Sequence, residues 1–138
     1  MKIISDKSLK LERYPDGKSE LLRKEIAKKY DAAFAPFSEK ITLPQYDSGH
    51  AFHLYIIQVQ DRLGLYNHLR ANNIFTQVHY IPVHTMPYYK ALGTQPQLPI
   101  AEKYYEHCLS LPMFPTLNNE EQEFVIQKNT AFVKNFLL

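Results

Sequence analysis

Apolar residues recur at helical spacing in four stretches of the chain, and most of these stretches also carry helix boundary signals. In the first, Ser19 can cap a helix, and Pro36 should end or distort its last turn. In the second, Asp61 can act as the cap, and Asn72-Asn73 can close the helix in left-handed conformation. The apolar positions are Leu22, Ile26, Tyr30, Ala33 and Phe37 in the first helix and Leu65, Tyr66 and Leu69 in the second.

The other two helical stretches lie in the second half of the chain. Pro99 suits the first turn of one helix, and Asn119 with Gln122 resembles a capping box at the start of the last. The apolar positions are Ile100, Tyr104, Cys108 and Leu111 in the first of these and Val125, Phe132, Val133 and Phe136 in the second. Between them, Pro112 and Pro115 lie close together within Leu111–Pro115, which predicts an extended segment. A shorter helical turn, from Pro87 to Leu92, should stop at Gly93.

Two runs of β-favouring residues predict strands. Ala51 to Val59 is nearly continuous, as a strand covered on both faces would be, and Phe75 to Tyr80 is the second run. Lys40 to Pro44 adds a short extended piece. Two or three strands covered by helices make an α+β fold, an α/β sandwich with a small sheet that is antiparallel in part. Residues 1–18 are expected to be irregular, and the domain to span residues 19–138.

The segment Thr76–Tyr89 carries most of the candidate chemistry. His79 and Tyr80 precede Pro82, and His84 follows it. Because proline cannot donate a ladder hydrogen bond, the predicted strand should stop at its histidine end. Titratable rings at a strand end, opening onto a loop, are arranged as binding groups often are. For His79, two interpretations stay open: a packed ring with one nitrogen bonded to backbone, and an imidazole that contacts a ligand.

Composition limits the partners of the chain. Its 138 residues suit one domain, and 45% hydrophobic with 22% charged residues is ordinary globular composition. A formal charge of +2 gives no electrostatic reason to expect nucleic acid or an anionic membrane as a partner. No apolar run approaches the ~20 residues that span a bilayer, and no signal peptide is visible, so we expect a cytoplasmic protein. The single cysteine, Cys108, is expected to be a small buried hydrophobe.

Metal and phosphate chemistry are not predicted. His50 and His53 would point to opposite faces of a strand, and a proline separates His79 from His84. A second cysteine and a carboxylate at a typical ligand spacing are both missing. The four glycines are scattered, which argues against a phosphate-cradling loop, and no Gly-x-Ser-x-Gly elbow occurs. The residues alone therefore indicate a polar, aromatic loop without a complete catalytic set.

The same loop carries a family resemblance. Val78-His-Tyr-Ile-Pro-Val-His84, with Pro87-Tyr-Tyr89, resembles the carboxyl-terminal domain of the DegT/DnrJ/EryC1/StrS sugar aminotransferases. Supporting matches stand in family order on both sides, in the segments Ile26–Asp31, Ala51–Tyr55, Leu98–Lys103, Leu109–Pro115 and Glu120–Ile126. Within the family, the wording of the loop is closest to transaminases of the pseudaminic acid route.

The resemblance implies a function and a set of partners. It implies pyridoxal phosphate as cofactor, L-glutamate as amino donor, a UDP-linked 4-keto-6-deoxy-N-acetylhexosamine as acceptor, and a homodimer of fold-type I. It also implies that His79 and Tyr80 line the sugar side of the pocket, with His84 nearby and His53 supporting the wall. The family's cofactor lysine lies in a large amino-terminal domain that is missing here. We therefore expect no catalytic residue in this chain, no cofactor bound to it and no turnover by it alone.

Two other functions are considered. The chain could be a non-catalytic remnant that folds and pairs with itself or with a separate large domain. It could also be a small aromatic RNA-binding module, but its weak net charge argues against that function. Removal of a large partner domain should expose apolar surface, so self-association is expected.

Overall fold

The sheet is small and antiparallel. The computed structural model describes residues 17–93 and 96–135, with side chains from Leu21 onward. Its three strands, in spatial order, are β1 (Ile41–Thr42), β2 (Tyr55–Val59) and β3 (Cys108–Leu111). Ile41 lies opposite Val59, and Tyr55 lies opposite Leu111, so β2 is the central strand. The predicted α+β class with a small antiparallel sheet is confirmed.

The described residues form five helices. They are α1 (Gly17–Phe34), α2 (Arg62–Ala71), α3 (Pro87–Ala91), α4 (Pro99–His107) and α5 (Asn119–Asn135). Helix α5 packs against α1 and α2, while α4 contacts β2. Two 3₁₀ turns, Ala35–Phe37 and Val83–Thr85, lie between these elements. Within the described ranges, none of the helices has the length and apolar character needed to cross a membrane.

The core lies on one face of β2. Tyr55, Ile57 and Val59 are buried, whereas Ile56 and Gln58 between them are only half-buried. The strand is thus fully covered on one face, not on both as its continuous apolar run predicts. The core residues that meet this face come from α1, α2 and α5. Alternation along β2 therefore fixes which side of the sheet holds the core.

Aromatic rings join α1 to the sheet. Tyr30 is fully buried and stacks on Phe34 with 5.8 Å between ring centroids, and its ring lies 4.8 Å from that of Tyr55. Its hydroxyl donates to the carbonyl oxygen of Pro112 at 2.9 Å. Burial raises the pKa of Tyr30, because the interior disfavours a phenolate. The ring therefore supplies apolar area, while its one polar atom is satisfied.

Several boundary signals are confirmed. Asp61 caps α2 and accepts a 2.8 Å hydrogen bond from the Gly64 amide. Asn73, just after this helix, has a positive φ of 59°. Pro99 stands in the first turn of α4, and Gly93, with φ of 87°, follows α3. Each of these residues acts through a local preference that tertiary contacts do not overrule.

Helix α1 differs from its prediction at its amino end. It begins at Gly17, two residues before the expected cap Ser19, and residues 1–16 of the predicted irregular segment lie outside the described residues. Leu22 is 41% exposed, because the first turns of the helix extend beyond the core. The 3₁₀ turn around Pro36 confirms the expected distortion of the last turn.

Two segments exchange their predicted roles. Cys108 and Leu111, expected on a helix, form β3, and Phe75–Tyr80, expected as a strand, forms only an isolated bridge from Gln77 to Ser110. Pro112 disfavours helical backbone at the residue before it, and pairing with β2 satisfies the backbone groups of β3. The burial expected for Cys108 is confirmed, since it is fully buried.

The helix pattern in the second half is also shifted. Ile100 and Tyr104, expected on the apolar side of their helix, are 86% and 39% exposed, and α4 has no buried residue.

The capping box of α5 lies one residue earlier than predicted. Asn118 and Glu121 exchange side-chain-to-amide hydrogen bonds of 2.8 and 3.0 Å. Gln122 is instead buried and donates to the carbonyl oxygen of Ile26 on α1 at 2.8 Å. Phe136, which was expected to be buried, lies outside the described residues.

Candidate functional site

The candidate loop starts beside β3, where Gln77 forms its bridge to Ser110. Gln77 and Ser110 exchange backbone hydrogen bonds of 3.3 and 2.9 Å, and the Ser110 hydroxyl also donates to the Gln77 carbonyl at 3.1 Å. Two residues further on, the thiol of Cys108 donates to the His79 carbonyl oxygen at 3.3 Å. Burial raises the pKa of this thiol, which keeps it protonated and able to donate. Two side chains of β3 thus fix the backbone that leads into the loop.

His79 and Tyr80 lie together at this point. Their ring centroids are 4.5 Å apart in an edge-to-face arrangement. His79 is half-buried, and its buried Nδ1 has no hydrogen-bond partner among the described residues, whereas Tyr80 is 73% exposed. An unpaired buried nitrogen costs about 1–3 kcal/mol, so a ligand or water that bonds it would be favoured. The interpretation of His79 as a packed ring requires a hydrogen bond from one ring nitrogen to backbone, and no such bond is found at Nδ1.

His84 lies in the 3₁₀ turn after Pro82. The amide and the hydroxyl of Thr85 both donate to the Pro82 carbonyl oxygen, at 2.9 and 2.7 Å, and these bonds hold the turn closed. The side chain of His84 is only 11% exposed, and its Nε2 lies 2.8 Å from Oε1 of Glu102 on α4. Glu102 is therefore a site residue that sequence analysis did not identify. Its position in the first turn after Pro99 does not by itself point to a histidine 18 residues earlier.

His53 belongs to a different segment from the other predicted site residues. It is exposed and lies two residues before β2, because that strand begins at Tyr55 and not at Ala51. The argument that His50 and His53 point to opposite faces of a strand is therefore wrong. His50 instead accepts a 3.1 Å hydrogen bond at Nδ1 from the Phe52 amide.

Three aromatic rings form a cluster just before His53 in the chain. The rings of Tyr46, His50 and Phe52 lie within 5.0 Å of each other and line a cleft of about 360 Å³. Asp31 is the polar centre of the cleft, since it accepts hydrogen bonds from Tyr55 at 2.8 Å and Tyr46 at 3.3 Å. Burial, reinforced by Asp31, raises the pKa of both phenols. A second cleft, of about 330 Å³ between β1 and the end of α4, contains none of the predicted site residues.

The described residues do not fit pyridoxal phosphate. The cofactor needs an enclosed lysine amine and a loop of amides around its phosphate. Between residues 21 and 93 and between 96 and 135, every lysine is exposed or half-exposed. Lys29 is paired with Glu123 at 2.8 Å, and Lys40 donates to the Val133 carbonyl oxygen at 3.1 Å. These same ranges hold no group of three His, Cys, Asp or Glu side chains that could bind a metal ion. The loop can therefore offer hydrogen bonds and ring faces to a ligand.

Comparison with known proteins identifies a family and a relative for this chain. The model of the DegT/DnrJ/EryC1/StrS aminotransferase family matches residues 10–129. The spore coat polysaccharide biosynthesis protein SpsC of Bacillus subtilis is 38% identical over 122 residues, which are 81% of this chain and 31% of SpsC.

Two solved structures share the fold. DesV of S. venezuelae is 31% identical, with a TM-score of 0.77 over 83% of this chain and 32% of DesV. PseC of Helicobacter pylori, an aminotransferase involved in the biosynthesis of pseudaminic acid, is 26% identical. Its TM-score is 0.76 over 85% of this chain and 33% of PseC. The chain thus spans about a third of the length of these relatives. It belongs to the DegT/DnrJ/EryC1/StrS aminotransferase family.

Proposed function

We propose that the chain is the carboxyl-terminal small domain of a pyridoxal phosphate-dependent nucleotide-sugar aminotransferase. The intact enzyme would transfer an amino group from L-glutamate to a UDP-linked 4-keto-6-deoxy sugar in the cytoplasm. The observation that carries this proposal is the family match over residues 10–129 in a chain a third as long as its relatives. The three-stranded antiparallel sheet with its five helices agrees with a small domain of this kind.

The proposed pathway is the synthesis of a surface polysaccharide, and within it the pseudaminic acid route. The name of SpsC supports the wider class, and the likeness to PseC supports the narrower one. The amino-acid sequence of the segment Val78–His84 favours the same route. The proposed acceptor is therefore a UDP-linked 4-keto-6-deoxy-N-acetylhexosamine.

The segment from His79 to His84 is proposed to contact the sugar. Tyr80 is exposed and can place its ring against a sugar face, while the unpaired Nδ1 of His79 can bond a polar group. His84 lies in the adjoining turn, and His53 and the segment Leu111–Pro115 are proposed to support the same wall of the pocket. We assign these residues to binding and none of them to the chemical step.

The cofactor lysine is proposed to come from a large domain outside this chain. When bound there, pyridoxal phosphate would supply the amino-carrying chemistry, and this chain would supply sugar contacts. The exposed apolar side chains on the segment 80–104 support a partner of this kind: Tyr80, Ile81, Val83, Tyr88, Tyr89, Leu92, Leu98, Ile100 and Tyr104. Without the large domain we expect this face to drive self-association, and with it we expect a homodimer.

The sugar contact can be tested in the enzyme completed by its large domain. We expect His79→Ala to raise the KM for the nucleotide sugar about tenfold, the value of one hydrogen bond of about 1.4 kcal/mol. The half-reaction with L-glutamate should be unchanged, because no sugar takes part in it. His107→Ala is the matched control, since His107 lies at the far end of α4 and directs Nδ1 at the carbonyl oxygen of Lys103. An unchanged KM in His79→Ala would contradict the proposed contact between His79 and the sugar.

A non-catalytic remnant is the second candidate function. It is favoured by the absence of a cofactor-like lysine site in residues 21–93 and 96–135. The two candidates differ in whether a large domain restores activity. If a large domain of the family, fused or co-expressed, gives no amino transfer with this chain, the remnant is the better description.

A further inference from the structure

The hydrogen bond between His84 and Glu102 links the candidate loop to α4. It joins residues 18 apart in sequence, at 2.8 Å, in a part of the chain where the described residues bury no side chain. The His84 ring itself is 11% exposed, whereas the carboxylate is 44% exposed. The ring is thus held between its own closed turn and a carboxylate that solvent can reach.

This geometry selects one protonation pattern of the neutral ring. A carboxylate only accepts hydrogen bonds, so the proton of the imidazole must be on Nε2, the nitrogen that faces Glu102. Nδ1 then carries a lone pair and can accept a hydrogen bond. Among the described residues, no hydrogen bond to Nδ1 of His84 occurs. Within the described residues, the lone pair of this nitrogen is therefore not used.

Other histidines of the chain are held differently. His107 directs Nδ1 at the carbonyl oxygen of Lys103 at 2.7 Å, so its proton is on Nδ1, the opposite pattern to His84. His68 directs Nε2 at the carbonyl oxygen of Lys128 at 3.1 Å. Unlike His68 and His107, His84 pairs with a carboxylate. A charged acceptor makes a stronger hydrogen bond than a carbonyl group does, and it orients the ring more firmly.

We propose that Glu102 is a positioning residue that fixes His84 with its proton on Nε2. The ring then offers Nδ1 as a hydrogen-bond acceptor to a hydroxyl or amide N–H of the nucleotide sugar. The identity of the ligand rests on the function proposed above, whereas the orientation of the ring rests on the 2.8 Å contact alone.

The orientation is tested on the full chain without any ligand. Nitrogen-15 NMR of the histidine rings is recorded near about pH 8.5, where free imidazole is uncharged. We expect His84 with its proton on Nε2 and His107, in the same spectrum, with its proton on Nδ1. The Nε2 proton of His84 should exchange slowly with water, and Glu102→Ala should speed that exchange at least tenfold. Glu106→Ala, one turn later at an exposed residue of α4, is the matched control.

The ligand part is tested in the enzyme completed by its large domain. His84→Asn keeps a polar atom close to the position of Nδ1, whereas His84→Gln keeps one close to Nε2. We expect His84→Gln to raise the KM for the nucleotide sugar about tenfold, His84→Asn to raise it less, and Glu102→Ala to raise it severalfold. Glu106→Ala should leave it unchanged. These KM values are measured for the nucleotide sugar, with L-glutamate at saturation.

The outcomes separate the two proposals. A proton on Nδ1 of His84, or no change in exchange for Glu102→Ala, overturns the role of Glu102 whatever the chain binds. The expected NMR result with an unchanged KM in His84→Gln overturns the acceptor role of Nδ1. In that case the His79→Ala result decides whether the sugar contact as a whole fails. If the NMR result and the KM series both agree, the assignment of Glu102 stands.

Discussion

The core around β2 and the segment from Tyr80 to Tyr104 are built on opposite principles. In the core, Tyr55 and Ile57 are fully buried against Tyr30 and residues of three helices. In the described parts of the segment 80–104, no residue is buried. Nine of the sixteen large hydrophobic side chains that the described residues expose lie in this one segment. The core buries its apolar side chains, whereas the segment 80–104 exposes them to solvent.

The segment keeps its shape through polar contacts. The Thr85 bonds close the turn, and the His84–Glu102 pair connects it to α4. Such bonds fix a conformation but contribute little net free energy compared with burial. A surface that is ordered yet uncovered is what a domain needs when a second surface completes its site. The contrast therefore supports a binding wall that requires a partner.

The largest expected effect contrasts one isoleucine from each region. Ile57→Ala should lower the free energy of unfolding by about 2–5 kcal/mol, since it leaves a cavity in the core. Ile100→Ala, at a side chain that is 86% exposed, should change it by less than about 0.5 kcal/mol. Urea unfolding followed by circular dichroism measures both. Equal losses in the two variants would mean that α4 is packed as tightly as β2.

Alkaline pH should destabilise the core. Burial raises the pKa of Tyr30 and Tyr55 above that of an unfolded tyrosine, near about 10, so the folded state keeps protons that the unfolded state releases. This contribution is complete below about pH 10 and is lost as the pH rises further, at about 1.4 kcal/mol per pH unit for each phenol. Urea midpoints between pH 8 and 11 (approximate limits) should follow this course.

A single substitution isolates one of these phenols. Tyr30→Phe should reduce the alkaline slope by about one proton, although it also loses the bond to the Pro112 carbonyl. Tyr88→Phe, at an exposed side chain, is the matched control. A slope that is the same in wild type and Tyr30→Phe would contradict the buried position of this hydroxyl.

Self-association should depend on the exposed segment. Ile100→Glu places a charge in the apolar face and should weaken self-association about tenfold, or about 1.4 kcal/mol. Leu63→Glu is the control, because Leu63 is 65% exposed but lies on α2. Sedimentation equilibrium gives both association constants. Equal weakening by the two substitutions would mean that self-association does not use the segment 80–104. A monomeric wild type would contradict the expected self-association.

The smallest expected effect concerns a helix end in the core region. Asn118→Ala removes the side chain that accepts from the Glu121 amide and should cost about 1 kcal/mol. Asn119→Ala, at the residue where sequence analysis located the cap, should cost less than about 0.5 kcal/mol. Thermal unfolding of the two variants distinguishes the positions. A larger loss for Asn119→Ala would restore the predicted cap.

Sequence reasoning succeeded where local chemistry decides. Asp61, Pro99 and Asn73 act on the backbone beside them, and the structure confirms all three. His79 and Tyr80, adjacent in sequence, keep their rings in contact, and their role in binding stays a prediction.

It failed where distant partners decide. Cys108–Leu111 has a helical apolar spacing, yet it pairs with β2, and Phe75–Tyr80 has a strand composition, yet only Gln77 pairs. Which of the two segments pairs with the free edge of β2 depends on the whole fold. The local sequence of neither segment predicts that choice. The link from His84 to Glu102 was missed for the same reason, since it joins two separate elements.

The central claim is that this chain forms one wall of an aminotransferase pocket and depends on another domain for the cofactor. The direct measurement follows nitrogen-15 from labelled L-glutamate onto a UDP-linked 4-keto-6-deoxy-N-acetylhexosamine, with pyridoxal phosphate present. The account predicts no labelled amino sugar from the purified chain, and labelled product once a large domain of the family is supplied. Labelled amino sugar formed by the chain alone would contradict it.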